Sequence, residues 1–164
     1  MKILIAYATG YGSTKEVAEF IGDLLEKNNH QTEIKNISEV ESLNYDFLIL
    51  GSAIKMDKIL SETKTFLKKF STELSQIKNA FFVLSITAKK ESSENRDKIT
   101  KFINPLSEVL KSENSPGIFA GKVDYQKIGW IWRKMAKADK TGNMEEGDFR
   151  NWDLIEKWVN ELKI

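Results

Sequence analysis

A short stretch rich in glycine and hydroxyl groups is the part of this sequence best suited to chemistry. It consists of Thr9, Gly10, Tyr11, Gly12, Ser13 and Thr14, between an apolar run and an amphipathic segment. Glycine allows a tight turn, the first N–H groups of a following helix lack partners, and hydroxyls add hydrogen-bond donors. These features indicate a phosphate site. The alternative is a plain helix cap, in which Ser13 or Thr14 caps the helix and the glycines make the bend.

This stretch differs from the two best-known phosphate loops. The Walker A pattern Gly-x-x-x-x-Gly-Lys-Ser/Thr cannot be written here, and Lys15 stands where the third glycine of the dinucleotide fingerprint belongs. Hydroxyls and glycine without the Walker lysine fit a terminal phosphate monoester better than a pyrophosphate.

The composition excludes several classes of chemistry. The chain has no cysteine and one histidine, so thiol catalysis, disulfides, iron–sulfur clusters and a Ser-His-Asp triad are not expected. His30 lies in a polar stretch and is predicted to be a solvated loop residue. The net charge of +1 creates no global field for nucleic acid or an anionic membrane. Redox work would therefore need a bound organic cofactor.

Apolar runs alternate with helical periods along the chain. Residues 2–8, 47–53, 80–87 and 118–123 are typical of strands buried on both faces, and the more polar residues 32–37 fit an edge strand. Helices are predicted over residues 13–28, 61–74, 95–110 and 152–162, with a kink or break at Pro105. This alternation implies right-handed crossovers and a single domain, residues 1–164, built as a three-layer α/β sandwich.

Residues 122–149 form an insertion too long for an ordinary strand-to-helix connection. Residues 122–140 contain six Lys or Arg against two Asp, a local charge of +4. One helix face is predicted to carry Ile128, Ile131, Trp132 and Met135, with Arg133, Lys134 and Lys137 towards its polar side. The insertion is interpreted as simple packing, a lid over the ligand site, a docking face for an acidic partner, or a peripheral membrane contact.

No second basic patch accompanies the insertion, so a nucleic-acid partner is not expected. The acidic residues 144–148 are predicted to be a solvated turn, with Asp148 or Asn151 capping the last helix.

The glycine-rich stretch resembles the phosphate loop of the flavodoxin family, which reads Thr/Ser-x-Thr-Gly-x-Thr after the first strand. Thr9, Gly12, Ser13 and Thr14 carry the resemblance, whereas Ala8 and Tyr11 depart from the commonest flavodoxin residues. The wider pattern is more similar to the flavodoxin-like, quinone-dependent protoporphyrinogen IX dehydrogenases. The motifs that carry this second resemblance are Gly51-Ser52-Ala53-Ile54-Lys55, Thr65-Phe66-Leu67-Lys68-Lys69-Phe70, Ser85-Ile86-Thr87-Ala88-Lys89, Ala120-Gly121 and Trp152-Asp153.

The resemblance implies a flavodoxin-like α/β/α sandwich with five parallel strands in the order 2-1-3-4-5 and FMN as the cofactor. It also implies a set of cofactor-binding residues: Thr9, Gly10, Tyr11, Gly12, Ser13, Thr14, Ser52, Ala53, Ile54, Lys55, Ser85, Ile86, Thr87, Ala88, Lys89 and Gly121. For residues 51–55, the alternative is a strand end with a tight turn and nothing bound.

In flavodoxins, the turns after the third and fourth strands sandwich the flavin ring, often with Trp and Tyr. Here the turns offer Ile54, Lys55 and Met56, then Thr87, Ala88 and Lys89, with no aromatic residue. A cation near the ring would favour the anionic reduced flavin and raise its potential. This pattern weighs against a strongly reducing electron carrier.

Two functions follow from the resemblance. One is an FMN-dependent oxidoreductase that acts on a small molecule such as protoporphyrinogen IX and passes electrons to a quinone. The alternative is an electron-transfer flavodoxin that serves protein redox partners, although such carriers are typically acidic and this chain is not. The N-terminal apolar run is too short for a signal peptide or membrane span. A cytoplasmic location is therefore expected, with residues 122–140 as the candidate peripheral membrane contact.

Overall fold

The chain alternates strands and helices, as the sequence predicts. The computed structural model describes residues 1–142 and 144–164. Its elements are β1 (Lys2–Ala8), α1 (Ser13–Lys27), β2 (Gln31–Asn36), β3 (Phe47–Lys55), β4 (Lys58–Ile59), α2 (Ser61–Lys69), α3 (Ser71–Leu74), β5 (Lys78–Leu84), α4 (Ser93–Leu110), β6 (Gly117–Phe119), β7 (Lys122–Val123), α5 (Trp130–Ala138), β8 (Gly147–Asp148) and α6 (Trp152–Asn160). Short 3-10 turns, Ile37–Glu39 and Ile86–Lys89, follow β2 and β5.

The five longer strands form one parallel sheet in the order β2-β1-β3-β5-β6. Counted without the short β4, this is the order 2-1-3-4-5, so the predicted topology is confirmed. β4 turns back antiparallel against the end of β3, with Ile54 opposite Ile59. Met56 and Asp57 make that hairpin turn with φ angles of 51° and 60°, the positive values of a type I′ turn.

Helices cover both faces of the sheet. α1 and α6 pack on one face, where Val17 and Ile155 are fully buried. α2, α3 and α4 pack on the other, where Leu74 and Leu106 are fully buried. The predicted three-layer sandwich is therefore confirmed.

Two predicted helices differ in detail from the observed ones. The predicted helix over residues 61–74 is divided at Phe70, whose φ of −108° ends α2 before α3 begins. α4 continues through Pro105 without a break. Ile103 and Leu106 are buried on either side of the proline, and their packing offsets the lost backbone hydrogen bond.

Two predicted strands end earlier than expected. β5 stops at Leu84, because the Ser85 hydroxyl accepts the Thr87 N–H at 3.2 Å and starts a 3-10 turn. β6 stops at Phe119, and the next strand, β7, leaves the main sheet to pair with β8. The prediction that residues 144–148 are only a solvated turn is therefore wrong for residues 147–148. Asn151, rather than Asp148, caps α6 by accepting the Leu154 N–H at 3.1 Å.

The insertion helix α5 presents a different face to the protein from the predicted one. Ile128, just before it, is buried, but Ile131 is 53% exposed and Met135 is 55% exposed. Arg133, predicted near the polar side, is half-buried, and its Nε donates to the Tyr125 carbonyl at 2.7 Å. This bond ties the helix to the turn before it, and two residues of the predicted apolar face, Ile131 and Met135, lie in solvent. Within the described residues, no helix combines the length and apolar character needed to cross a bilayer.

A close approach between β3 and β5 requires glycine at position 51. Phe82 is fully buried, and its ring contacts those of Phe119 and Trp158, with centroids 6.2 and 6.1 Å away. A Cβ added at Gly51 would lie 2.3 Å from Cζ of Phe82. Because its aromatic neighbours hold the Phe82 ring, a side chain at position 51 would force the strands apart.

Gly51→Ala is expected to lower the free energy of unfolding by about 1–3 kcal/mol through this overpacking. Urea denaturation followed by circular dichroism measures the change. Gly129→Ala is the matched control, because a Cβ at Gly129 meets nothing within 4 Å and the backbone has a φ of −60°. Equal stabilities for the two variants would contradict the packing argument.

Candidate functional site

The loop between β1 and α1 leaves helix donors without acceptors. Gly12 precedes the helix with a φ of 97°, a left-handed value that favours glycine, and its N–H donates to Thr9 Oγ1 at 2.8 Å. The first backbone bond of α1 runs from the Glu16 N–H to the Gly12 carbonyl. Within the described residues, the N–H groups of residues 13–15 have no acceptor, and no side chain caps the helix. The alternative of a plain Ser13 or Thr14 cap is therefore wrong.

Thr14 adds an unpartnered hydroxyl to the same helix turn. Its side chain is fully buried, and Oγ1 has no hydrogen-bond partner among the described residues. A buried hydroxyl without a partner destabilises a fold by about 1–3 kcal/mol. The hydroxyl and the three backbone donors match the acceptor oxygens of a phosphate monoester.

A cavity of about 370 Å³ lies beside this loop, at the carboxyl ends of the parallel strands. β2 and β3 lie on opposite sides of β1, so the strand order reverses direction at β1. The carboxyl ends of the strands at such a switch point are where open α/β sheets bind ligands. Nine of the predicted cofactor-binding residues line the cavity: Gly10, Tyr11, Ser13, Ala53, Ile54, Lys55, Ile86, Thr87 and Gly121.

Some predicted residues lie outside the cavity wall. Thr9, Gly12 and Thr14 build the adjoining loop, as described above. Ser52 is buried behind the wall, where its hydroxyl bonds that of Thr63 at 2.9 Å. The Ser85 hydroxyl serves the 3-10 turn after β5, and Ala88 packs against the core between the sheet and α4.

Lys89 fastens the insertion instead of lining the cavity. Its Nζ donates to Glu145 Oε2 at 2.8 Å and lies 3.8 Å from the centroid of the Phe149 ring. The ion pair holds the pKa of the Glu145 carboxyl below its ordinary value. His30 lies between α1 and β2, at the amino ends of the strands, and is half-buried. It is a loop residue, as predicted, but it is not fully solvated.

Met56, named above in the turn after the third strand, also lines the cavity. Further lining residues, which no site prediction included, come from the β3–β4 hairpin, the strand ends and the insertion: Asp57, Leu60, Leu84, Lys122, Val123, Asp124, Ile128, Trp132 and Met144. The aromatic and basic character of the insertion was the only signal for those in residues 122–149. No local pattern indicates which of its side chains point towards the strand ends.

Two aromatic side chains, Tyr11 and Trp132, line the cavity. Neither belongs to the turns after β3 and β5, which resemble the flavin-binding turns of flavodoxins. Lys55 Nζ lies 5.3 Å from the Tyr11 ring centroid and 6.0 Å from that of Trp132. A cation over aromatic faces is attracted by their quadrupoles. Lys55 thus lies between the β1–α1 loop and α5 at the cavity, and the site has a cation and two aromatic rings at one side.

The buried guanidinium of Arg150 joins the C-terminal end of the insertion to α1. The side chain of Arg150 is 3% exposed, and its nitrogens lie 2.6 Å from Glu16 and 2.6 Å from Asp148. Its guanidinium also lies 4.7 Å from the centroid of the Trp152 ring. Hydrogen bonds from Arg150 hold the pKa of the Asp148 carboxyl below its ordinary value. This ion pair keeps β8 next to the first turn of α1.

Tyr125 holds the start of the insertion to its end. Its hydroxyl donates to the Met144 carbonyl at 3.0 Å, and its backbone N–H donates to Glu146 Oε1 at 3.1 Å. Both ends of the insertion therefore meet beside the cavity.

Comparison with known proteins places this geometry in a family. The flavodoxin domain model matches residues 4–149. The protoporphyrinogen IX dehydrogenase [quinone] of Escherichia coli K12 is 25% identical over 176 aligned positions, which cover 99% of this chain and 94% of that protein.

Solved structures show the same fold. The flavodoxin of Streptococcus pneumoniae TIGR4 superposes with a TM-score of 0.63 at 13% identity, covering 99% of this chain and 97% of that one. The flavodoxin of Fusobacterium nucleatum bound to flavin mononucleotide gives a TM-score of 0.55 at 17% identity, covering 99% and 96% of the two chains. With its sheet order, its loop after β1 and a family match that spans most of its length, this chain belongs to the flavodoxin domain family.

Proposed function

We propose that this protein binds FMN at the carboxyl edge of its sheet and uses it to oxidise an organic substrate. The observation that carries the proposal is the row of unpartnered donors at the start of α1, next to a cavity of about 370 Å³. Flavodoxin-family membership and the name of the E. coli relative support the same chemistry. FMN would supply the ability to accept electrons or hydride.

The loop of residues 9–14 would hold the phosphate. The helix N-terminus carries a partial positive charge, and the donors of residues 13–15 and the Thr14 hydroxyl would bond the phosphate oxygens. Gly12 has no side chain to occupy that space, so the anion can approach the backbone. The turns at residues 53–55 and 86–87, together with Gly121, would surround the ring system.

The apolar side chains and the lysine of the cavity wall suit a flavin that gains negative charge on reduction. Ile54 and Leu84 exclude water from part of the cavity, which strengthens electrostatic interactions inside it. Lys55 supplies a cation at the same wall. Negative charge that develops in the cavity is therefore stabilised, which favours an acceptor of electrons over a strongly reducing donor.

The insertion favours an enzyme over a carrier. Ile128, Trp132 and Met144 line the cavity from the insertion side, so part of the wall is supplied by a segment that covers the strand ends. An electron carrier that meets other proteins needs an accessible cofactor edge, whereas a covered cavity encloses a small substrate.

We propose a protoporphyrinogen-like cyclic tetrapyrrole as the substrate and a quinone as the acceptor, on the name of the E. coli relative. The tetrapyrrole would lose electron pairs with their protons, and each pair would reduce one quinone to the quinol. The protein would chiefly orient the reactants, because the bound FMN would itself accept the electrons.

Exposed apolar side chains on α5 suggest where the protein would encounter the proposed quinone acceptor. The exposed face consists of Trp130 (73% exposed), Ile131, Lys134 and Met135, and we call it the α5 face. Apolar and aromatic side chains beside a lysine suit a bilayer interface with anionic headgroups. Quinones with long tails reside in bilayers, so we propose that the α5 face rests on an anionic membrane.

Thr14→Val tests the phosphate site. The variant keeps the side-chain shape but removes the unpartnered hydroxyl, so the apoprotein should be as stable as the wild type or more stable. FMN affinity, measured by quenching of flavin fluorescence, should fall about tenfold for the loss of a charge-assisted hydrogen bond.

Thr63→Val is the matched control for this change, because the Thr63 hydroxyl bonds Ser52 inside the protein. It should lower the stability of the apoprotein and leave FMN affinity unchanged. A wild-type protein that ignores FMN would refute the proposed cofactor.

Anaerobic incubation of the FMN-loaded protein with protoporphyrinogen IX and a water-soluble quinone tests the reaction. Porphyrin fluorescence should appear with the quinone and not without it. At saturating FMN, Trp132→Leu should lower kcat/KM about tenfold, since misplacing the substrate slightly has effects of this size or larger. Leu154→Ala, an exposed apolar position on α6, should match the wild type. Full FMN occupancy without turnover would favour the electron-carrier function.

Vesicle sedimentation tests the α5 face. The wild type should bind vesicles of phosphatidylcholine with phosphatidylglycerol and bind pure phosphatidylcholine more weakly. Replacing Trp130, Ile131 and Met135 together with serine should reduce binding at least tenfold, because the apolar area that enters the interface is lost. Leu154→Ser is the control, and equal loss in both variants would count against the α5 face.

A further inference from the structure

One lysine of the insertion reaches the phosphate loop. Lys127 Nζ lies 3.8 Å from the position that a Cβ would occupy on Gly12, the residue that precedes α1. A small recess joins them, lined by Tyr11, Ser13, Glu16, Lys122, Asp124 and Lys127. The ammonium group therefore lies beside the helix N-terminus whose donors have no acceptor.

A hydrogen-bonded turn places this lysine. The N–H groups of Lys127 and Ile128 both donate to the Asp124 carbonyl, at 3.1 and 3.3 Å, and the Asp124 carboxylate accepts the Gln126 N–H at 2.9 Å. Ile128 is buried next to the cavity. The backbone at position 127 is thus anchored on both sides, while the long side chain extends to the loop.

The charges around the recess leave Lys127 without a carboxylate partner. Glu16 is already paired with Arg150 at 2.6 Å. No ion pair within the described residues involves Lys127 or Lys122. Asp124 is the one other carboxylate that lines the recess, and a backbone N–H binds one of its oxygens. An anion at the start of α1 would meet an unpaired ammonium group there.

We infer that Lys127 binds the phosphate of the flavin cofactor and makes this protein select the phosphorylated flavin over riboflavin. The inference rests on the proposed function, because it assigns a further residue to the same cofactor. Backbone N–H groups bind a phosphate through fixed dipoles, whereas an ammonium group adds a full charge and a charge-assisted hydrogen bond.

The position of Lys127 has a consequence for the insertion. The lysine belongs to the segment that also supplies Trp132 and Met144 to the cavity wall. A bound phosphate would attract that segment towards α1. Cofactor binding and ordering of the cavity wall would therefore favour one another.

Titration of the apoprotein with FMN and, separately, riboflavin tests the inference. At low ionic strength, Lys127→Ala should weaken FMN binding about tenfold, because one charge-assisted contact is lost, and should leave riboflavin binding within about twofold of the wild type. Lys127→Arg, which keeps the charge, should retain most of the FMN affinity. Lys137→Ala, an exposed lysine of α5, should match the wild type for both ligands. Added salt should reduce the difference between wild type and Lys127→Ala.

Two results would overturn the inference while the proposed cofactor stands. One is unchanged FMN affinity in Lys127→Ala. The other is an equal loss of FMN and riboflavin affinity, which indicates that the lysine only supports the insertion. Failure of the wild type to bind either flavin would instead refute the proposed function itself.

Discussion

The parallel sheet imposes the constraint on which the site depends. Parallel neighbours cannot be joined by a tight turn, so each parallel strand except the last is followed by a crossover. The carboxyl ends of the parallel strands therefore lie at the same edge of the sheet. The loop after β1, the turns after β3 and β5, and Gly121 after β6 therefore meet around one cavity. Burial of both sheet faces also forces close packing, which explains why β3 carries glycine opposite Phe82.

The start of α1 has unpartnered donors, which lower the stability of the protein alone, at the place where a ligand is expected. Capping side chains bind the first N–H groups of two helices, Ser92 at α4 and Asn151 at α6, whereas no side chain among the described residues caps α1, α2, α3 or α5. Gly12 stands at that position in α1 and has no side chain to offer. The fully buried Thr14 hydroxyl, also unpartnered, adds to the same deficit. Both features are unfavourable for the protein alone and favourable for an anion-binding loop.

The insertion turns an open strand edge into a partly covered cavity. Polar contacts hold its C-terminal end, through Lys89 with Glu145 and through Arg150 with Glu16 and Asp148. Its apolar side chains lie on two surfaces: Ile128 and Trp132 line the cavity, while Ile131 and Met135 are exposed to solvent. The single segment therefore shapes both the cavity wall and part of the exposed surface.

Local patterns determined the fold class, the order of strands and helices, and the position of the glycine-rich loop between β1 and α1. Buried strands need continuous apolar runs, helices need a period of 3.6 residues, and the glycine and hydroxyl pattern of residues 9–14 is contained within six consecutive positions. The tertiary structure alone decided which distant side chains share the site. Lys89 lies in a turn that resembles the ring-binding turn, yet it pairs with Glu145 far along the chain. Trp132 and Lys127 reach the strand ends because the turn at Asp124 and the bond from Arg133 set how α5 is oriented. Such contacts join residues distant in sequence, and their formation depends on how the whole chain packs, which no short stretch encodes.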